Sequence, residues 1–280
     1  MRLRGGFIVR IPAVMGVLNV TPDSFSDGGR YLDPHSALAH ALEMEAAGAD
    51  LIDIGGESSR PVGAREVSVD EELARVMPVM RRLRGKLRVP ISVDTRRAEV
   101  ARAALDEGAS IINDISALAD PSMAALAAKV KCSVILMHMR GGPADHIKFA
   151  RYNNVVVEVT KFLAERAGYA IANGIARSRI ILDPGIGFAK NAYHNLELIR
   201  NLPRICALGY PVLIGTSRKT FVRKIAGASA EALLLGTAAI DAIAIANGAS
   251  IVRVHEPGPA RAAVAMAAAI SRANFTGRIG

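Results

Sequence analysis

The sequence predicts a single α/β domain built as a (β/α)8 TIM barrel, with its site at the C-terminal ends of the strands. Three observations carry that prediction. Short runs of aliphatic and β-branched residues recur eight times along the chain. The segments between them are long enough to hold a helix, and most show amphipathic spacing. Each run closes on a polar or otherwise unusual residue. Eight strand–helix units in 280 residues suit a barrel, in which the carboxyl ends of all strands converge on one face. A doubly wound open sheet is the alternative, but fewer strands are expected of it.

The predicted strands are 14-VMGVLN-19, 50-DLIDIGG-56, 89-VPISVDT-95, 110-SIINDIS-116, 133-SVILMHM-139, 179-RIILDPG-185, 211-PVLIGTS-217 and 250-SIVRVHE-256. Between the first two, 34-PHSALAHALEMEAAGAD-50 reads as a helix that starts at Pro34 and ends at Gly48. The stretch 96-RRAEVARAALDEGAS-110 is another, again closed by a glycine. The densest basic cluster, 81-RRLRGKLR-88, falls at a predicted helix end, where cations complement the helix dipole. Two late helices, within 230–249 and 259–273, are rich in Ala and Leu and offer faces for helix-on-helix packing; they cover the barrel or form a homodimer interface. No linker or low-complexity stretch divides the chain. Residues 1–280 therefore read as one domain, with a short basic N-terminal extension over about 1–12 and a tail over about 274–280.

Composition excludes several classes. Hydrophobic residues make up 51% of the chain and aromatics only 4%, so the core must be built mainly from Ala, Val, Ile and Leu. No apolar run approaches the ~20 residues that span a bilayer, so no membrane association is expected. The start, MRLRGGFIVR, is too short and too broken for a secretory signal. Cys132 and Cys206 lie far apart in no metal-like spacing, which suits a reduced, cytoplasmic protein. The net charge of +9 is spread along the chain. Zinc-finger spacing and the aromatic–basic repeat of an RNA-binding sheet are both missing, so the anion to expect is a small molecule and not nucleic acid.

The strand ends carry the chemistry. They hold Asn19, then Glu57 and Ser58, Asp94, Asn113, His138, Asp183, Thr216 with Ser217, and Arg253 with His255. Wet loops explain one or two such positions. They do not explain two Asp and two Asn directly after apolar residues, where an uncompensated carboxylate is costly. Asp94, Asn113 and Asp183, projected inward, give two carboxylates and an amide. That set suits a flat heterocycle with several N–H donors. A divalent-metal cage built on the same acids is the competing reading, weakened by the lack of a further acid or His in the pattern. Arg60, Lys190, Arg218, Lys219, Arg253 and His255 stand near strand ends and suit a phosphate-bearing substrate. The glycines of 183-DPGIGFAK-190 and 215-GTSRK-219 let backbone N–H groups approach such an anion. Asn19 can help hold Mg²⁺, with the rest of the oxygen ligands supplied by the substrate. Neither a GxxxxGK[ST] loop, a strand-following GxGxxG, an HExxH nor a GxSxG elbow is present. Catalysis therefore rests on positioning and electrostatics acting on an activated leaving group.

These residues resemble the dihydropteroate synthase family over about Val14 to Ala268. The resemblance is carried, in order, by GVLNVTPDSFSDGG, IDIGGESSRP, SVDT, INDIS, LMHMRG, LDPGIGF-x-K, IGTSRK and RVHE. It implies a (β/α)8 homodimer that joins 6-hydroxymethyl-7,8-dihydropterin diphosphate to 4-aminobenzoate with Mg²⁺, and that sulfonamides inhibit. By the same resemblance Asp94, Asn113, Asp183 and Lys219 hold the pterin ring, and Met137 and Phe188 pack near it. Asn19, Arg253 and His255 match residues that bind the diphosphate and its Mg²⁺. Two loops, about 20–31 and 57–68, close over the site. Asp23 and Phe25 in the first, and Ser59, Arg60 and Pro61 in the second, complete it for diphosphate and aminobenzoate, and Ser217 and Lys219 flank the aminobenzoate. Asp23, Lys219 and Arg253 are the candidate catalytic groups. The chain departs from the family pattern at 58-SSRPVGA-64, where Ser59 replaces Thr and Val62 is inserted. It departs again at Ala189, where a glycine is usual, and 220-TFVRKIAGASAEALLLGT-237 lacks the Arg or Lys often found before LxGT. A corrinoid-linked pterin methyltransferase, a pterin-binding paralogue without turnover and a phosphosugar lyase or aldolase are the rival readings.

Overall fold

The computed structural model describes residues 1–21, 33–57, 67–142 and 145–272. Its strands are β1 Ala13–Asn19, β2 Leu51–Gly55, β3 Ile91–Asp94, β4 Ile111–Asp114, β5 Ser133–Met137, β6 Ile180–Asp183, β7 Leu213–Ile214 and β8 Ile251–Val254. All pair in parallel in the order β6-β5-β4-β3-β2-β1-β8-β7. A single parallel bridge between Leu182 and Val212 joins the two ends, with the Leu182 N–H donating to the Pro211 carbonyl at 2.9 Å. The barrel of the sequence reading is therefore present, and it closes most thinly between β6 and β7.

The helices are α1 Pro34–Ala46, α2 Val69–Leu83, α3 Ala98–Asp106, α4 Pro121–Val130, α5 Val155–Ala172, α6 Ala192–Arg200, α7 Leu202–Cys206, α8 Thr220–Ala226, α9 Ala230–Ala246 and α10 Pro257–Arg272. Their starts follow local chemistry. Asp33 caps α1 by accepting from the Ser36 N–H, with Pro34 at the first helical position. Asp120 and Asn154 cap α4 and α5 in the same way. Gly48 and Gly108 follow α1 and α3 with φ of +96° and +106°, as the glycine punctuation predicted. Two connections hold two helices each, which the strand–helix alternation does not reveal. Asn201 follows α6 and Pro203 lies in the first turn of α7; Gly227, at φ +112°, separates α8 from α9. Among the described residues, no single helix is long and apolar enough to cross a membrane.

The period of two along each strand splits the barrel into faces. Outward residues such as Val14, Ile52, Val93, Ile112, Val134 and Ile180 are buried against the helices. Gly16 leaves room for that layer: a Cβ there would sit 2.8 Å from the Met44 sulfur of α1. Inward residues form two floors. The lower is apolar: Ala13, Met15, Leu51, Ile111, Ile135, Ile181, Leu213 and Ile251. Leu3 and Val9 seal it from below, so the start of the chain is a packed plug and not a loose basic extension. An Arg2–Ile8 bridge shapes the plug, and Arg4 donates to the carbonyls of Leu105 and Ala109 at the end of α3. The upper floor is polar, and it faces the open end.

Candidate active site

The upper floor opens into a cleft of about 1090 Å³ at the carboxyl ends of the strands. Its lining includes Asn19, Asp94, Asn113, Met137, Asp183, Phe188, Ser217, Lys219, Arg253 and His255. These ten predicted site residues thus meet in one cavity, while His138 and Thr216, also at strand ends, do not line it. Asp23, Phe25, Ser59, Arg60, Pro61 and the inserted Val62 lie outside the described residues.

One wall is a set of polar groups over an apolar corner. The register aligns Asp94 with Asn113, and Met137 with Asp183. Ile115, Met137 and Phe188 are buried together beside them. Burial pushes the Asp94 carboxyl up to about 7, although Arg253 pulls it down. Burial likewise raises Asp183 to about 6, opposed by the Gly185 N–H, 2.7 Å from Oδ1, and by Lys219. The Lys219 ammonium lies 4.1 Å from the centre of the Phe188 ring. These groups form a slot with an aromatic face, a cation on that face and carboxylates at the edge.

Asp53 is a site residue that the sequence reading missed. It is fully buried on β2, one layer below Asp94, paired in register with Val17 and Ser92. Its Oδ2 accepts from Asn113 Nδ2 at 2.9 Å and from Arg253 Nε at 2.6 Å. Arg253 Nη2 reaches Asp94 Oδ2 at 2.8 Å. The guanidinium thus bridges two carboxylates on the heterocycle side of the cleft. One signal for Asp53 was present: a lone acid inside the apolar run LIDIG, an even number of positions from the strand end.

The β6–α6 loop shapes the slot. Gly185 has φ +66°, and a Cβ there would stand 2.0 Å from the His138 carbonyl oxygen. Lys190 pins this loop. Its Nζ donates to the carbonyls of Phe188 at 2.9 Å and His138 at 3.3 Å, and lies 2.9 Å from His138 Nδ1. Burial lowers Lys190 to about 7, and burial with the Lys190 charge pushes His138 down to about 2, so the imidazole is a neutral acceptor. Ala189 adopts φ +50° and donates its N–H to His146 Nδ1 at 2.9 Å. A left-handed alanine is strained by roughly 1–2 kcal/mol. Replacing it with glycine relieves that strain but exposes about one methyl's worth of packing, ~0.8 kcal/mol, and adds unfolded-chain entropy. Ala189→Gly is therefore expected to unfold within about 0.5 kcal/mol of the parent in a denaturant titration. A loss above ~1.5 kcal/mol, ordinary for a buried alanine, would show the residue to be unstrained.

The opposite wall carries Ser217 and His255, with His255 Nδ1 3.0 Å from Ser217 Oγ. Arg218, at φ +57°, turns to Glu256 at 2.5 Å, which lets Lys219 point toward the slot. Thr216 behind them donates to the buried Asp241 at 2.9 Å. Just past β2, Glu57 binds Arg96 and Arg97, and Arg97 also reaches the fully buried Glu72 at 2.7 Å.

The profile described as "Pterin binding enzyme" matches residues 15–255, from the first strand to the last. A dihydropteroate synthase of Bacillus subtilis is 49% identical over 244 residues, covering 87% of this chain and 83% of that one. The chain belongs to the dihydropteroate synthase family. The Escherichia coli dihydropteroate synthase is 44% identical over 245 residues, covering 88% and 86% of the two chains. Among solved dihydropteroate synthases, one from Yersinia pestis in complex with a sulfonamide drug superposes with a TM-score of 0.92 at 41% identity, covering 98% of this chain and 99% of that one. One from Xanthomonas albilineans in complex with 7,8-dihydropteroate gives 0.83 at 42% identity, covering 94% and 95%. As a member of that family it carries the barrel and the ordered strand-end motifs, with Asp53 beneath the slot.

The cleft offers few oxygen donors for magnesium. No group of three or more His, Cys, Asp or Glu among the described residues could hold a metal ion. Asn19 lines the cleft and can offer one amide oxygen. This fits an ion that arrives with a diphosphate and keeps most of its ligands from substrate and water, and it does not fit a protein cage.

Proposed function

We propose that this chain condenses 6-hydroxymethyl-7,8-dihydropterin diphosphate with 4-aminobenzoate, giving 7,8-dihydropteroate and pyrophosphate. The observation that carries this reading is the convergence of Asp94, Asn113 and Asp183 with Lys219, Ser217 and His255 in one cleft. The pterin's N–H groups meet the carboxylates, its ring lies near Phe188 and Met137, and its diphosphate lies toward Asn19 and His255. Asn19 would hold a substrate-borne Mg²⁺, which supplies positive charge to the diphosphate. Lys219 sets a cation beside the ring, and Arg253, reaching the same cavity, adds a second. The carboxylate of 4-aminobenzoate is read at Ser217 and Lys219, completed by Phe25 and Pro61, while Ser59 and Arg60 complete the diphosphate site.

The dihydropterin is electron-rich, so pyrophosphate can depart before the amine attacks, with Asp23 stabilising the positive charge that develops. Release of pyrophosphate without aminobenzoate, with hydroxymethyl-dihydropterin as product, supports this order; strict dependence on aminobenzoate overturns it. The function itself is tested by supplying purified protein with the dihydropterin diphosphate and Mg²⁺, with and without 4-aminobenzoate, and assaying dihydropteroate. Pterin binding without dihydropteroate formation would instead identify a paralogue that lost turnover.

Pterin binding should depend on pH with a definite sign. The ligand's N–H donors favour ionised Asp94 and Asp183, which titrate near 7 and 6 in the free protein. Binding releases protons and weakens as pH falls through that window, by up to roughly tenfold per unit for each group. Calorimetry between pH 5.5 and 8 checks it, and affinity that is flat or rises toward low pH would contradict it.

The chain is further read as a homodimer. Leu235 and Ile243 on α9, and Met266 and Ile270 on α10, are each more than half exposed on two helices that pack against one another. Sedimentation as a 29.5-kDa monomer at micromolar concentration would overturn this.

A further inference from the structure

Asp241 is a fully buried acid on α9 that the reaction as described does not use. Its Oδ1 accepts from Thr216 Oγ1 at 2.9 Å. Its Oδ2 has no hydrogen-bond partner among the described residues, and neither has Thr237 Oγ1 one helical turn before it. Both residues line a cavity of about 10 Å³, room for a single water, together with Ser217, Val254, Glu256 and Ala260. Ser217 and Glu256 also line the main cleft, so the small cavity backs onto it. Ser217 is the residue read above as a seat for the carboxylate of 4-aminobenzoate. A buried acid and an anion's seat therefore share one side chain as their partition. Two negative charges on either side of it would repel far more than they do in water.

We propose that Asp241 links the second substrate's charge to a proton: the carboxylate of 4-aminobenzoate docks at Ser217 when the Asp241 carboxyl behind it is neutral, and ionised Asp241 disfavours it. The inference rests on the aminobenzoate reading of Ser217 and Lys219 and deepens it. A neutral carboxyl also has an O–H to donate into the cavity, where Thr237 Oγ1 otherwise lacks a partner. Burial raises the Asp241 carboxyl to about 7, and only the Thr216 hydrogen bond opposes it. The charged groups on the surrounding elements do not offset that burial. After β7 and β8, Arg218 and Glu256 pair with each other at 2.5 Å, and His255 Nδ1 lies 3.0 Å from Ser217 Oγ. Arg253 on β8 is held by Asp53 and Asp94. Arg223 and Lys224 of α8 line the main cleft, and Arg261 of α10 is tied to Asp50. Glu231 lies in the first turn of α9, and α6 meets α9 at its C-terminal end, where Asn247 donates to the Ile199 carbonyl. Asp241 can thus change its charge near neutral pH, and docking an anion beside it draws the proton on.

The test is Asp241→Asn, which keeps an oxygen for Thr216, sets an NH2 where the neutral acid has its O–H, and cannot ionise. The readout is kcat/KM for 4-aminobenzoate at saturating dihydropterin diphosphate and Mg²⁺, from about pH 6 to 8.5. Other titrating groups act alike in parent and variant, so the ratio of the two isolates Asp241. The two are expected to agree within about twofold at pH 6. At pH 8.5 the variant is expected to exceed the parent by about three- to tenfold, through KM and not kcat. With 4-aminobenzamide, a neutral competitor of the same ring, the ratio of inhibition constants should stay constant across that range. A merely structural acid predicts the opposite sign, a variant poorer than the parent at every pH. That result, parallel profiles, or the same separation with the neutral amide overturns the proposal. If Asp241→Asn does not fold, Asp241→Ser, which leaves room for a water, is read by the same criteria. A parent that forms no dihydropteroate refutes the functional reading and this proposal with it, whereas parallel profiles in an active parent refute the proposal alone.

Discussion

Asp183→Asn is expected to lower kcat/KM for the dihydropterin diphosphate by about 10²- to 10³-fold, the cost of breaking a buried, charge-assisted pairing worth roughly 3–4 kcal/mol. The substitution keeps the shape, and the remaining oxygen can still accept from the Gly185 N–H, so the loop need not move. What it removes is the charge that faces the ligand's donors. Stability supplies the control. A carboxyl raised to about 6 in the folded protein contributes stability at low pH that is lost as pH rises through that value. A neutral asparagine escapes that loss. Asp183→Asn should therefore melt at or above the parent temperature at pH 8 while failing to turn over. A variant that melts lower at pH 8, or keeps kcat/KM within about threefold, would show that Asp183 serves the fold and not the ligand.

Gly185→Ala is expected to cost roughly 3 kcal/mol or more. One part is the left-handed backbone at φ +66°, about 1–2 kcal/mol for a side-chain-bearing residue. The larger part is steric: a Cβ 2.0 Å from the His138 carbonyl oxygen cannot be accommodated without moving β5 or the loop. For a chain of this size the melting temperature should fall by about 6 °C or more. Activity should fall as well, because the loop that moves carries Phe188 and Lys190. Gly187 is the contrast. A Cβ there meets Lys219 Cδ at 3.0 Å, the middle of a flexible side chain that can give way. Scanning calorimetry with steady-state kinetics on Gly185→Ala checks both effects, and a parent-like melting temperature would rule out the close approach.

Much of the site was legible from the chain. Asp94, Asn113 and Asp183 stood out because polar residues at the ends of apolar runs are costly unless they have work to do. Ala189 stood out because the family it resembles usually has a glycine there, and the residue adopts a φ of +50°. Asp53 did not stand out, because an acid inside a strand is indistinguishable from one facing a helix until the register is known. Lys190 was visible as a cation near a strand end, yet its three acceptors lie on His138 and Phe188, so it pins the wall of the cleft. The basic start of the chain read as an extension because its apolar residues are few; only the barrel floor shows where Leu3 and Val9 belong.

Periodicity, turn residues and polar strand ends are properties of neighbouring residues, so eight strands, their order along the chain and the chemistry at their tips could be read directly. Which of those tips touch is a property of closure. Arg253 meets Asp53 and Asp94 across 200 and 159 residues of chain, because β8 pairs with β1 and the parallel register stacks inward side chains in floors. No local pattern encodes that distance. The barrel sets it, and with it the pairing of Asn113 with Asp53.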